Sequence, residues 1–193
     1  MDLLWRIWNK LALRPVYRMR FGSFGRHAAI RKPVCLRGTK QIHIGDRVIV
    51  KEHGWLEVNP PDAASAGAGL RIGAGTSIGY FCHIYAGRRV EIGRNVLMGS
   101  GVYITDCTHG YEDVGLPVIG QPALIAGEVR IGDGSWIGQH AAVIGAKIGR
   151  HCIVGANAVV TEDVPDYSVV AGVPARIIKR YDHTKKEWVR SGS

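Results

Sequence analysis

Cysteine is scarce and scattered. Cys35, Cys82, Cys107 and Cys152 stand far apart among 193 residues, and no two lie at C-x-x-C spacing. Neither a zinc module nor a dense disulfide framework is indicated, and a reducing compartment fits. Long apolar runs are missing too. Residues 1–20 are interrupted by Arg6, Lys10, Arg14 and Arg18, which denies them the unbroken core of a signal peptide and leaves them too short to cross a bilayer. A cytoplasmic location is expected. There is no recognition-helix, zinc-finger or aromatic-platform motif, so nucleic acid is not an expected partner. Acidic residues are the minority, 16 against 25 Lys and Arg, for a formal charge of +9. That balance favours other anionic partners, such as phosphates or an acidic membrane face.

Glycine, by contrast, is abundant at 26 residues, without the every-third-residue period of collagen. Apolar residues make up 46% and charged residues 21% of the chain, the composition of one folded domain. Aliphatic residues recur every six positions at Ile72, Ile78 and Ile84, at Ile92, Met98 and Ile104, at Ile131, Ile137 and Val143, and at Ile148, Val154 and Val160. Glycine usually follows directly, as in Ile72-Gly73, Ile92-Gly93 and Ile137-Gly138. A helix does not explain this beat: six matches neither 3.6 nor 7, and each interior glycine would cost about 1 kcal/mol. Short extended segments with tight corners do explain it, one aliphatic pointing inward per segment and glycine supplying the backbone angles of the corner. Three segments make a triangular coil of roughly eighteen residues, and stacked coils bury a continuous column of Ile and Val. The fold expected is all-β, a prism of parallel hexapeptide coils over residues 42–173, where a weaker set at Ile44, Val50 and Leu56 opens the pattern.

The beat slips between Ile84 and Ile92 and between Val143 and Ile148, as corner insertion and deletion would cause. It disappears over residues 105–128, which carry Gly110, Gly115, Pro117, Gly120 and Pro122. That stretch must loop out, and loops leaving a rigid scaffold are where chemistry tends to sit. In residues 1–20, Leu4, Ile7, Trp8 and Leu11 share one helical face, with Arg6, Lys10 and Arg14 elsewhere. This predicts a basic amphipathic helix up to Pro15, either a cap over one open end of the prism or a contact with an anionic membrane surface. Residues 174–193 form a basic extension with Arg176, Lys179, Arg180, Lys185, Lys186 and Arg190.

This beat, together with Val154-Gly-Ala-Asn-Ala-Val-Val-Thr161 and Val169-Val-Ala-Gly-Val-Pro-Ala-Arg176, resembles the hexapeptide-repeat acyltransferases over most of residues 40–180. More narrowly, Ile104-Thr-Asp-Cys-Thr-His-Gly-Tyr111, the Gln121-Pro pair, Trp136-Ile-Gly and Lys179-Arg-Tyr-Asp182 followed by Trp188 look like the branch that O-acetylates bacterial surface polysaccharides. The resemblance implies a left-handed β-helix, a homotrimer with sites between neighbouring prisms, acetyl-CoA as co-substrate, a saccharide acceptor and no metal. It places the catalytic histidine at His109, with Asp106 binding the sugar or orienting the imidazole. Moving an acetyl group to a hydroxyl needs a base for the hydroxyl proton, which neutral imidazole suits. His83, Tyr85 and Tyr111 are the expected acceptor contacts. Trp136, Gln139 and Ala156 match positions that face acetyl-CoA, and Thr161, Arg176, Lys179 and Arg180 lie where its phosphates would fall.

Other chemistries compete. Cys107, two residues from His109, raises a Cys/His acyl-enzyme route. Zinc hydratases built on the same repeat use three histidines, and His83 and His109 supply two. N-acetylation of an amino sugar or a small molecule is the alternative within the acyltransferases.

Overall fold

The computed structural model describes residues 12–60 and 69–191. Three sheets take the strands in rotation, so every turn of the chain lays one strand on each. The first sheet holds β1 (Ser23–Phe24), β4 (Ile42–Ile44), β7 (Gly69–Ile72), β10 (Arg89–Ile92), β15 (Val129–Ile131) and β18 (Lys147–Ile148). The second holds β2 (Ala29–Ile30), β5 (Ile49–Val50), β8 (Ser77–Ile78), β11 (Leu97–Met98), β16 (Trp136–Ile137), β19 (Ile153–Val154) and β21 (Ser168–Gly172), extended by β22 (Ala175–Asp182) and β23 (Glu187–Arg190). The third holds β3 (Cys35–Arg37), β6 (Trp55–Val58), β9 (His83–Ala86), β12 (Tyr103–Thr105), β17 (Ala142–Ile144) and β20 (Val159–Val160). A separate antiparallel ribbon pairs β13 (Cys107–His109) with β14 (Ala123–Ile125).

Register explains the six-residue beat. Ile44, Ile72, Ile92, Ile131 and Ile148 stand in one file on the first sheet. Leu36, Leu56, Ile84, Ile104, Val143 and Val160 stand in another on the third. These files and their counterpart on the second sheet fill the prism with one contiguous core. Each residue adds its backbone hydrogen bonds and its buried aliphatic area only to the coils directly above and below, the energetics of a solenoid.

The prism begins earlier than residue 42. β1, β2 and β3 form a complete coil ahead of that point, with Phe24 and Ile30 buried. The beat continues through Phe24, Ile30 and Leu36, but an aromatic in the first position and an eight-residue step to Ile44 conceal it. Ahead of this coil, α1 (Arg14–Arg20) has Pro15 in its first turn. Pro15 therefore opens a helix instead of closing one, as its missing N–H allows. The amphipathic segment expected before Pro15 lies almost wholly outside the described residues. Tyr17 of α1 packs on Phe21 and Phe24 at 5.5 and 5.3 Å between ring centroids and covers the end of the prism. No helix among the described residues is long and apolar enough to cross a membrane.

The carboxyl-terminal extension is ordered too. β22 and β23 add antiparallel to β21, and Tyr181 packs against Trp188 at 5.4 Å. Alternate residues of β22 are half-buried, so this basic extension packs along the prism.

The glycines of the repeat serve a different purpose from the one periodicity suggests. Gly73, Gly79, Gly93, Gly99, Gly132, Gly138, Gly149 and Gly155 are not in the left-handed region; the left-handed residue stands two places later, at Gly75, Phe81, Asn95, Gly101, Gly134, His140, His151 and Asn157. What the first set supplies is closeness. A Cβ on Gly79 would run into the backbone carbonyl of Gly99 in the next coil, and a Cβ on Gly138 into the backbone of Gly155 and Ala156. Gly79→Ala should accordingly lower the unfolding free energy by about 2 kcal/mol or more, since overpacking against backbone has no side chain to yield. Phe81→Gly, which relieves a left-handed residue, should stay within about 1 kcal/mol of the parent. Urea melts of both variants check the pair, and the reverse ranking would contradict it.

Candidate active site

Each inward aliphatic of the third sheet is flanked by two outward residues, because side chains alternate along a strand. The parallel register stacks these neighbours into two columns: Trp55, His83 and Tyr103 in one, Glu57, Tyr85 and Thr105 in the other. The β13–β14 ribbon rises beside them and encloses a cavity of about 420 Å³, to which it contributes Cys107, Thr108, His109 and Ala123.

His109 closes β13, opposite Ala123, with its side chain exposed. Its imidazole makes no hydrogen bond among the described residues, so both ring nitrogens are available at the cavity rim. His83 is the opposite case. Its ring lies 5.0 Å from that of Trp55 and 5.3 Å from that of Tyr103, and its buried Nε2 has no hydrogen-bond partner. Burial lowers its pKa, against a smaller upward pull from Glu57. The Nε2 atom is buried among its neighbours, while the His83 ring forms part of the cavity wall. Glu57 is itself 5% exposed and accepts hydrogen bonds from Trp55 Nε1 at 2.7 Å and Arg37 Nη1 at 3.1 Å. Tyr85 donates its hydroxyl to the Asn59 carbonyl at 2.9 Å. Burial raises its pKa, as do the nearby Cys107, Glu57 and Asp106.

Asp106 has another task than the one sequence reasoning gave it. It is fully buried, and its carboxylate accepts backbone N–H groups from Gly87 at 2.7 Å, Arg88 at 2.7 Å and Arg89 at 2.6 Å. It therefore pins the corner inserted between Ile84 and Ile92, where the six-residue beat slips, and is committed neither to a sugar nor to the His109 ring. Cys107 sits beside it. Burial, then the Asp106 charge and hydrogen bond, push the Cys107 thiol up to about 12. A thiol held protonated is a poor nucleophile, which counts against the Cys/His route.

The remaining expected residues do not join this cavity within one chain. Tyr111 lies beyond the ribbon, 67% exposed. Trp136 is 51% exposed on β16 of the second sheet. Gln139 and Ala156 occupy successive coils at the corner between the second and third sheets, where the Asn157 N–H donates to the Gln139 carbonyl at 2.9 Å. The main-chain N–H groups of Gln139 and Ala156 donate to no backbone acceptor among the described residues. Thr161 is exposed just past β20. Arg176, Lys179 and Arg180 line β22, and Arg176 meets Glu162 at 3.3 Å. Among the described residues no three His, Cys, Asp or Glu gather as a metal-binding group. Trp55, Glu57, Tyr103 and Thr105 were missed as cavity residues. Their signal was the triplets Trp55-Leu-Glu57, His83-Ile-Tyr85 and Tyr103-Ile-Thr105 around inward aliphatics.

Residues 69–106 and 128–162 match the family model described as the hexapeptide repeat of succinyl-transferase. WbbJ of Escherichia coli K12, whose name assigns it to O-acetyl transfer in lipopolysaccharide biosynthesis, is 34% identical over 151 residues, 69% of this chain and 77% of its own length. The chain belongs to the hexapeptide-repeat acetyltransferases. Within that family, a Mycobacterium tuberculosis protein named as an acetyltransferase, Rv3034c, is 34% identical over 187 residues; the match takes in 92% of this chain and 62% of that relative's length. AntD from Bacillus cereus, an N-acyltransferase crystallised with dTDP and 3-hydroxybutyryl-CoA, shares the fold, with a TM-score of 0.73 over 90% of each chain at 20% identity.

If Asp106 anchors the inserted corner, Asp106→Ala leaves three backbone donors without an acceptor, that of Gly87 buried and those of Arg88 and Arg89 partly so. Stability should fall by about 2–4 kcal/mol, measured by urea denaturation. Enzyme that remains folded should keep the parent's pH–rate profile; a displaced profile would mean that Asp106 acts through His109 after all.

Proposed function

We propose that this chain transfers an acetyl group from acetyl-CoA to a saccharide hydroxyl, with His109 as general base. The observation that carries the reading is the unencumbered His109 imidazole at the rim of an aromatic-lined cavity on a rigid sheet face. The naming of WbbJ for O-acetyl transfer supports a sugar hydroxyl as acceptor. Family membership supports a left-handed coil and a homotrimer, in which a neighbouring prism would bring the Trp136, Gln139 and Ala156 surface to the His109 cavity.

In this mechanism the acceptor lies over Trp55 and Tyr103 and against the His83 ring, while Tyr85 helps to shape the cavity wall. The alcohol oxygen attacks the thioester carbon as its proton passes to a ring nitrogen of His109. Charge gathers on the carbonyl oxygen, and the spare main-chain N–H of Gln139 or Ala156 is suited to receive it without reorganisation. The carbon–sulfur bond then breaks, and the proton held by His109 goes to the departing sulfur. Atoms and charge balance with no covalent enzyme intermediate. Trp136 is suited to lie along the pantetheine arm. Arg176, Lys179 and Arg180, with Thr161 close by, offer donors for the CoA phosphates. The Arg176–Glu162 pair is exposed and worth little, so Arg176 exchanges its carboxylate for a phosphate at small cost.

N-acetylation of an amino sugar is the second reading; AntD, whose fold this chain shares, is an N-acyltransferase also crystallised with dTDP-4-amino-4,6-dideoxyglucose. The two differ in product: a sugar ester is cleaved by mild alkali, whereas an amide survives it.

His109→Ala should lower turnover at least about a hundredfold, the usual loss for a general base, with the melting curve unchanged. Acetyl transfer from labelled acetyl-CoA to a saccharide pool measures this. Near-parental turnover would refute the assignment.

A further inference from the structure

In a solenoid, position along the chain is position along the axis, so an uneven charge distribution in sequence becomes an uneven distribution in space. Residues 12–60, which form α1 and the first two coils, carry ten Lys and Arg against three Asp and Glu. Residues 69–191 carry thirteen against eleven. Nearly all the net charge of the described residues therefore sits at one end of the prism. The three acidic residues there are already committed: Asp46 to Arg26, Glu52 to Arg31 and Glu57 to Arg37. Arg18, Arg20, Lys32 and Arg47 stay exposed, with no ion pair among the described residues. Apolar side chains are interleaved with them. Met19, between Arg18 and Arg20, is 68% exposed, and Val34, two places from Lys32, is 61% exposed.

We propose that the α1 end of the prism docks on an anionic lipid bilayer. Basic side chains supply attraction to acidic headgroups, while Met19, Val34 and the exposed Val16 of α1 gain by entering the headgroup–acyl boundary. That apolar component selects lipid over nucleic acid, whose phosphodiester backbone would leave it in water. α1 is fixed in place by the packing of Tyr17 on Phe21 and Phe24, so the docking face is rigid.

The site runs along the middle of the third sheet, from Trp55 on its second rung to Ile144 on its fifth. His83 stands on the third rung. At about 4.8 Å per rung, His83 is roughly 10 Å from the terminal coil. A saccharide carried on a membrane lipid would come within its reach. This last point rests on the acetyl-transfer reading; the docking does not.

Flotation with vesicles of phosphatidylglycerol and phosphatidylcholine in about equal parts, at low salt, tests the docking without any turnover. The full chain should float with these vesicles and not with pure phosphatidylcholine. Replacing both Arg18 and Arg20 by alanine should weaken binding about twentyfold or more, at about fivefold per basic residue. Replacing Lys185 and Lys186, an equal charge change at the other end of the chain, should alter it less than about twofold. Met19→Ser should weaken it further with net charge unchanged. No flotation, equal losses from the two double variants, or displacement of the protein from vesicles by polyuridylate would each overturn the proposal. Because acetyl transfer is assayed separately, its failure and the failure of docking are distinguishable.

Discussion

The closeness of neighbouring coils at their corners governs this molecule. Gly79 lies against Gly99, Gly99 against Gln139, and Gly138 against Gly155 and Ala156, with no room for a Cβ on the glycines. That contact sets the stacking of one coil on the next and hence the register of all three sheets. Register in turn lines up the inward aliphatics that exclude water, and delivers the outward residues in columns. His83 meets Trp55 and Tyr103 not through any local sequence preference but because three coils are held in step.

The same logic explains how a site arises on a scaffold that is otherwise repetitive. Where the six-residue beat breaks, the backbone has donors with no neighbour to accept them, and a buried polar group must answer. Asp106 does so for the corner at Gly87, Arg88 and Arg89. Immediately afterwards the chain leaves the prism as the β13–β14 ribbon, so the anchored corner and the wall of the cavity share a common origin. Polar groups near the cavity floor are largely engaged: Glu57 by Trp55 and Arg37, Tyr85 by Asn59. His109, at the rim, makes no hydrogen bond among the described residues and carries the proton transfer of the proposed reaction.

Much of this was legible in the sequence because a strict period leaves a strong mark. The sheets, the inward columns and the excursion over residues 105–128 follow from counting sixes. What escaped detection did so for physical reasons. Phe24 conceals the first coil, since an aromatic does the work of an aliphatic there. The extension beyond residue 174 reads as polar because β22 and β23 bury only part of each side chain. Glycine after the aliphatic suggested unusual torsion angles, yet the constraint is steric contact with a residue some twenty positions away, invisible to local reasoning. The family resemblance gave Asp106 a role beside His109, but its carboxylate partners lie in the previous coil, out of reach of local reasoning. Trp55 and Glu57 were overlooked because they belong to a coil distant from the motif, and only register brings them beside it.

The central claim is that the His109 cavity on the third sheet receives the acceptor next to the acyl donor. A crystal structure of the assembled protein with CoA and an acceptor saccharide tests it most directly. The account predicts that the CoA sulfur and a sugar hydroxyl will both lie within a few ångströms of the His109 ring, with the sugar over Trp55 and Tyr103. CoA bound on a surface that does not approach His109 in any protomer would contradict it.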